Sequence, residues 1–145
     1  GDDPLVRFSA WLGEAAAVCA RALRLSNAEA RRINTMADPD LAREIAQDWP
    51  VRGALEKRVY RHGNVAVADQ LFLLFSREET LPEGWGGAIA HALSFAAPVF
   101  PVTGTDLKQA GIPTSREMGG ILRRLEDAWV DSRFRLSKAD LLERV

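Results

Sequence analysis

Helix starts and stops interrupt this chain at intervals of about ten residues, and no run between them alternates apolar and polar long enough to make a strand. Ser26 with Glu29 three positions on forms an S-x-x-E capping box, in which each residue satisfies an amide of the other's segment. Asp38-Pro39 puts a capping carboxylate before a proline at the first helical position, where the missing N–H costs nothing. Pro50 opens VRGALEKRVYRH, Gly63 closes it, and Asn64 opens NVAVADQLFLLFSRE. Pro98 and Pro101 stop WGGAIAHALSFAA. Helices this short, joined by two or three residues, have to pack against their sequence neighbours, so the expected fold is all-α, an irregular multi-helix bundle.

The apolar positions recur at helical spacing and mark the faces expected to be buried. They are Leu5, Phe8, Trp11 and Leu12 in the first segment, with Gly13 as its stop, and Val65, Ala68, Leu71, Phe72 and Phe75 in the central one. The Ala-rich stretch from Glu14 to Arg24 reads as a packing helix whose small side chains admit a close neighbour. The linker PVFPVTG divides the chain into a helical body, residues 1–98, and a small helical tail subdomain, residues 99–145. In the tail, Thr103 or Thr105 caps a short helix closed by Gly111, and Thr114 or Ser115 caps the next. That helix carries Met118, Ile121, Leu122, Leu125, Ala128 and Trp129 on one face, and Ser137 caps a last segment, KADLLERV.

Composition excludes several classes of function. A formal charge of −1 over 145 residues gives no global basic field, so nucleic-acid binding would rest on local patches. Residues 65–102 are the acidic part, with one basic and four acidic side chains. Sixteen of the nineteen cations are Arg, the residue suited to forked contacts with phosphate. A single cysteine, Cys19, allows no internal disulfide or thiol metal cluster and fits a reducing cytoplasm. The most apolar run, VAVADQLFLLF, is eleven residues long and contains Asp69 and Gln70, too short and too polar to span a membrane. The opening GDDP, without an initiator Met, leads us to expect a piece of a longer protein.

Catalytic signatures are missing. His62 and His91 lack the spacing of a metal site, and neither a nucleophile elbow nor a phosphate loop occurs. We expect no catalytic residue, metal or cofactor in this chain. Basic constellations remain. Lys57 and Arg61 stand at i, i+4, and Arg58, between Leu55 and Val59 on the apolar side, needs an anion, either a carboxylate of the fold or a phosphate. Arg116, Arg123 and Arg124 line the polar side of the long tail helix, where Asp127 can pair with Arg123, and Lys108 lies on the helix before it. The corner between these helices, DLKQAGIPTSREMGG, has the geometry of either a phosphate-gripping turn or an ordinary helix-turn-helix joint.

The tail stretches Thr103-Gly104-x-Asp106-Leu107-x-x-x-Gly111-Ile112 and Met118-Gly119-x-x-Leu122-x-x-Leu125-Glu126-x-Ala128-Trp129, with Leu23-Arg24-Leu25-Ser26-Asn27-Ala28-Glu29 in the body, resemble bacterial CCA-adding enzymes and their poly(A) polymerase relatives. Where that family has Gly-Pro or a similar pair after the corner, Thr114 and Ser115 stand here. The resemblance implies a helical body and tail that hold tRNA for a separate N-terminal head, which uses Mg and a nucleoside triphosphate to add nucleotides. The head that carries the family's Gly-Ser and Asp-x-Asp signatures is expected to lie outside this chain, so the partners implied are tRNA and that head. The candidate RNA contacts are then Arg116, Arg123, Arg124, Lys108, Lys57, Arg58, Arg61, Thr114 and Ser115. The rival readings are a helical protein-interaction scaffold that does not bind RNA and a helix-hairpin-helix DNA binder.

Overall fold

The computed structural model describes residues 3–15, 19, 23–114 and 116–145. Every regular element among them is helical. The first of two compact units, Gly1–Ala96, contains α1 (Pro4–Leu12) and a 3-10 turn at Gly13–Ala15, followed by α2 (Asn27–Met36), α3 (Pro39–Asp48), α4 (Arg52–His62), α5 (Asn64–Ser76) and α6 (Trp85–Ser94). The second unit, Ala97–Val145, contains α7 (Gly104–Gln109), α8 (Met118–Asp131) and α9 (Lys138–Leu142). Of the Ala-rich stretch expected as a packing helix, residues 16–18 and 20–22 lie outside the described residues, as does Ser115.

In the first unit α5 is apolar around most of its circumference, and a helix of that kind has to be covered on several sides. Leu71, Val67 and Phe75 enter a cluster with Leu41, Ile45, Leu55, Val59 and Ile89. Leu73 points the other way, into a smaller cluster with Ile33 and Met36, over which Leu5, Phe8, Leu12 and Leu25 fold. Phe75 takes Trp49 and Trp85 edge-on at ring distances of 5.0 and 6.4 Å. Each fully buried Leu or Ile here stabilises the fold by roughly 1.5–3 kcal/mol.

Three expectations change. Trp11 is 83% exposed: Leu5, Phe8 and Leu12 complete the buried face of α1, and Trp11 lies too far around the nine-residue helix to join it. Val65, in the first turn of α5, is half exposed. α4 begins at Arg52, two residues after Pro50, whose peptide bond with Trp49 is cis.

The polar residues of α5 are themselves structural. Asn64 donates through Nδ2 to the carbonyls of Ala92 and Phe95, both at 2.7 Å, and so caps the C-terminus of α6. Gln70 does the same for α2, donating through Nε2 to the carbonyls of Thr35 and Met36 at 2.9 and 3.1 Å. Asp69, 6% exposed, receives both Nε and Nη2 of Arg32 at 2.7 and 2.8 Å, while Arg32 Nη1 reaches Asp3 at 2.6 Å. Asp3 in turn caps α1 by accepting from the amide of Leu5. One guanidinium therefore ties α1, α2 and α5 together, and the bidentate fork fixes its geometry. The paired carboxylates, Asp69 first, hold the Arg32 guanidinium even more firmly protonated than usual, and Arg32 in turn lowers the Asp3 carboxyl below its ordinary value.

The second unit is assembled from short-range devices. Thr103 and Asp106 form the capping box of α7, and Ser137 and Asp140 that of α9. At the end of α7 the amide of Ile112 donates to the carbonyl of Leu107 and that of Gly111 to Lys108, with Gly111 at φ 90°. This is a Schellman turn, and glycine suits it because the left-handed conformation costs it nothing. The end of α8 repeats the pattern without glycine. Phe134 donates to Trp129 and Arg133 to Val130, and both donors have positive φ, 60° and 62° for Arg133 and Phe134. The Phe134 ring meets Trp129 at 5.0 Å, and Phe100 closes on the same indole at 5.5 Å. Trp129, Leu107, Leu125, Val130 and Leu141 are buried at the centre of this unit. Gly104 lies where a Cβ would stand 3.3 Å from the Met118 sulfur, so the start of α7 can approach α8 closely.

Candidate nucleic-acid interface

The cations singled out from sequence fall into two groups, one in each unit. In the first unit, α4 positions Lys57, Arg58 and Arg61. Arg58 finds its anion inside the fold: Nε donates to Asp48 at 2.6 Å and Nη1 to Glu44 at 2.7 Å, both on α3. Asp48 foremost, helped by Glu44, raises the Arg58 pKa against the opposing effect of burial. Of the two anions open from sequence, the fold supplies the carboxylate. Arg61 lies over the ring of the adjacent Tyr60 at 5.8 Å. Arg58 thereby ties α4 to α3.

The second group is different. Lys108 on α7, Arg116 just before α8, and Arg123 and Arg124 on α8 are all exposed. Their charged groups have no ion-pair partner among the described residues, so the pairing of Arg123 with Asp127 that the spacing allows does not form. Arg123 and Arg124 are exposed because α8 is one-sided, its opposite face being occupied by Met118, Leu125 and Trp129.

The N-terminus of α8 adds to this surface. Its N-cap is Glu117, which supplies no side-chain hydrogen bond to the first turn, so Thr114 is not the cap expected from sequence, and Ser115 lies outside the described residues. Thr114 is exposed in the corner that precedes it. Gly119 and Gly120 follow, exposed, with open space where a side chain would stand. Arg123 and Arg124 are three to five positions further on and flank this bare patch one turn away. First-turn amides, a helix dipole with its positive end outward, absent side chains and two forked cations together make a surface that a phosphate backbone can approach closely.

The unit also shows where a cation is already committed. Lys138 holds Asp106 at 2.6 Å, and with the Thr103 amide and hydroxyl it lowers that carboxyl to about 2. No cluster of three or more His, Cys, Asp or Glu able to hold a metal ion occurs among the described residues. His91 is engaged instead with Glu56, Nε2 to Oε1 at 3.0 Å, joining α6 to α4. No helix among the described residues is long and apolar enough to cross a membrane.

Sequence reasoning passed over the network of Arg32, Asp3 and Asp69. Its signal was Asp69 inside VAVADQLFLLF: a carboxylate on a helix buried all round requires a partner, and the partner has to come from another element.

Comparison with known proteins gives partial matches. The chain is 32% identical over 63 residues, 43% of its length, to CCA tRNA nucleotidyltransferase 1, mitochondrial, of Mus musculus. It is 44% identical over 48 residues, 33% of its length, to the protein of the same name from Danio rerio, and 33% identical over 51 residues, 35% of its length, to that from Homo sapiens. The matched segments cover 14%, 11% and 12% of those three proteins, so the chain spans only a small part of each curated relative it matches. No family model and no solved structure matches the chain.

Proposed function

We propose that this chain is a tRNA-binding region of an enzyme related to the CCA-adding nucleotidyltransferases, and that the exposed face of α8 is its principal contact with RNA. Similarity to proteins named as CCA tRNA nucleotidyltransferases supports the class of partner. One observation carries the choice of surface: Lys108, Arg116, Arg123 and Arg124 are exposed and lack ion-pair partners among the described residues, whereas Arg58 is held by two carboxylates. Nucleotide addition, with its Mg and nucleoside triphosphate, belongs in this reading to a separate N-terminal head. Contact through phosphates positions an RNA without reading its sequence, as suits a region that has to hold many different tRNAs. Lys57, Arg61 and Thr114 are secondary contacts in the same reading.

Replacing Arg116, Arg123 and Arg124 together by Ala tests it. We expect weaker binding of a tRNA transcript and a salt slope shallower by about 2, since each lost phosphate contact removes roughly 0.7–0.9 from that slope. An unchanged affinity and slope would remove α8 from the interface. A groove of about 360 Å³ in the first unit, with Val6, Val65, Phe72 and Leu93 on its walls, favours a second reading, a protein-interaction module. Under that reading Leu93→Asp abolishes capture of a protein partner and leaves tRNA affinity untouched.

A further inference from the structure

We infer that Trp11 and Arg7 form a stacking platform on α1 for an unpaired base of the bound RNA. This inference rests on the RNA reading above, but it concerns the other unit and a different kind of contact.

Trp11 stands four positions after Arg7, so the two side chains are neighbours on the helix surface, about 5–6 Å apart at Cβ. Both are exposed, and neither side chain has a hydrogen bond, ion pair or ring contact with another described residue. Among the described residues Leu5, Phe8 and Leu12, not the indole, supply what α1 packs against Ile33, Met36 and Leu73. An indole left 83% in water is the reverse of the usual placement of this side chain, which is highly buried on average.

Charge and area narrow the occupant. Arg7 is the only charged residue of PLVRFSAWL, and the Asp3 carboxylate at its N-cap is already engaged by Arg32 and the Leu5 amide. The other exposed residues of α1 are Pro4 and Ala10, which give the indole too little apolar surround for the core of a protein interface. A flat aromatic beside a guanidinium that has no ion-pair partner among the described residues instead matches a nucleotide. The base lies on the indole, and the guanidinium takes the neighbouring phosphate or covers the base from the side. Stacking accepts any base, which makes the platform indifferent to sequence and selective for unpaired nucleotides.

The test uses the full chain with three probes: a tRNA transcript, a 12-nucleotide single-stranded oligo(A), and a blunt 12-base-pair RNA duplex. Trp11→Ala is expected to weaken oligo(A) binding roughly 5- to 100-fold and to leave the duplex unchanged. Trp11→Phe keeps most of the affinity, because a ring is retained, and Trp11→Leu behaves like Trp11→Ala. Arg7→Ala lowers the oligo(A) salt slope by about 0.7. Circular dichroism melts of all four variants are expected to match the parent, since neither side chain packs. Affinity retained by Trp11→Leu would overturn the inference and make Trp11 an apolar contact for protein. Unchanged binding in Trp11→Ala, with loss in the triple arginine variant, would overturn the platform and leave the RNA reading standing. A parent chain that binds none of the three probes would overturn both.

Discussion

The two units of this chain use polar side chains in opposite ways. In Gly1–Ala96 the interactions that fix one helix against another reach far along the sequence: 37 positions from Arg32 to Asp69, 35 from Gln70 to Thr35, 28 from Asn64 to Ala92. In Ala97–Val145 the capping boxes and the Ser132 contacts with Trp129 and Arg135 span three positions, and Lys138 with Asp106 is a longer tie. A long-range tie is made only once several helices are in place, and its loss is felt in all of them. A three-residue device is nearly complete within its own helix and stands or falls locally.

The largest test of this contrast is Asp69→Ala. It strands the Arg32 guanidinium between α1, α2 and α5 with only Asp3 remaining. Removing one partner of a buried pair costs about 3–5 kcal/mol, and we expect the lower end, because Arg32 keeps 28% of its side chain in water. The urea unfolding midpoint measures it. A loss below about 1 kcal/mol would erase the distinction between the units. Gln70→Leu comes next. It strips the side-chain donor from two carbonyls at the end of α2, at an expected cost of about 1–3 kcal/mol, and amide exchange in α2 should quicken together with that in α5.

This difference in range also decided what could be read from the sequence. Ser26 with Glu29, Asp38 before Pro39, Ser137, Thr103 and Gly111 announce themselves within four residues, and the structure places a cap or turn at each. The all-helical class followed from those marks. Helix ends without a side-chain device were less legible: α8 begins at Met118, behind an uncapped Glu117, and its far end turns through Arg133 and Phe134 with no glycine to signal it. Partners at long range were invisible, so Arg58 could be assigned an anion but not a particular one. Exposure depended on tertiary packing as well. Trp11 has the spacing of a core residue, and only the extent of the cluster formed by Ile33, Met36 and Leu73 leaves it outside.

In the second unit a substitution can strengthen the fold. Arg133 holds a left-handed conformation that costs an L-residue roughly 1–2 kcal/mol, and its amide donates to Val130 whatever the side chain. Arg133→Gly should therefore raise stability by about 0.5–1 kcal/mol after the loss of the arginine's surface interactions, visible as a higher thermal midpoint. Because the turn is local, amide exchange should slow mainly near the end of α8. A protective effect spread evenly through the unit would contradict the local character assigned to it.

The smallest effect is a dependence on acid, and it probes a long-range ion pair in the tail, Lys138 with Asp106. Lys138, with the Thr103 amide and hydroxyl, lowers the folded-state value of Asp106 to about 2, beneath the ordinary 3.8. A carboxylate lowered on folding stabilises the fold above its unfolded value, and that contribution is lost as pH falls through the folded one. The window for Asp106 is therefore about pH 4 down to about pH 2. Asp106→Asn should leave a protein slightly less stable at neutral pH whose melting temperature falls less steeply across that window. Asp140 sits below its ordinary value because of the Ser137 hydroxyl and amide, and it keeps part of the acid sensitivity in both proteins. Lys138→Met should flatten the same window, since it removes the largest cause while leaving the capping box intact. If only Asp106→Asn has the effect, the cap controls the titration and the tail has no long-range tie of consequence; if both do, the bond between α7 and α9 is the tail's counterpart of Arg32 and Asp69.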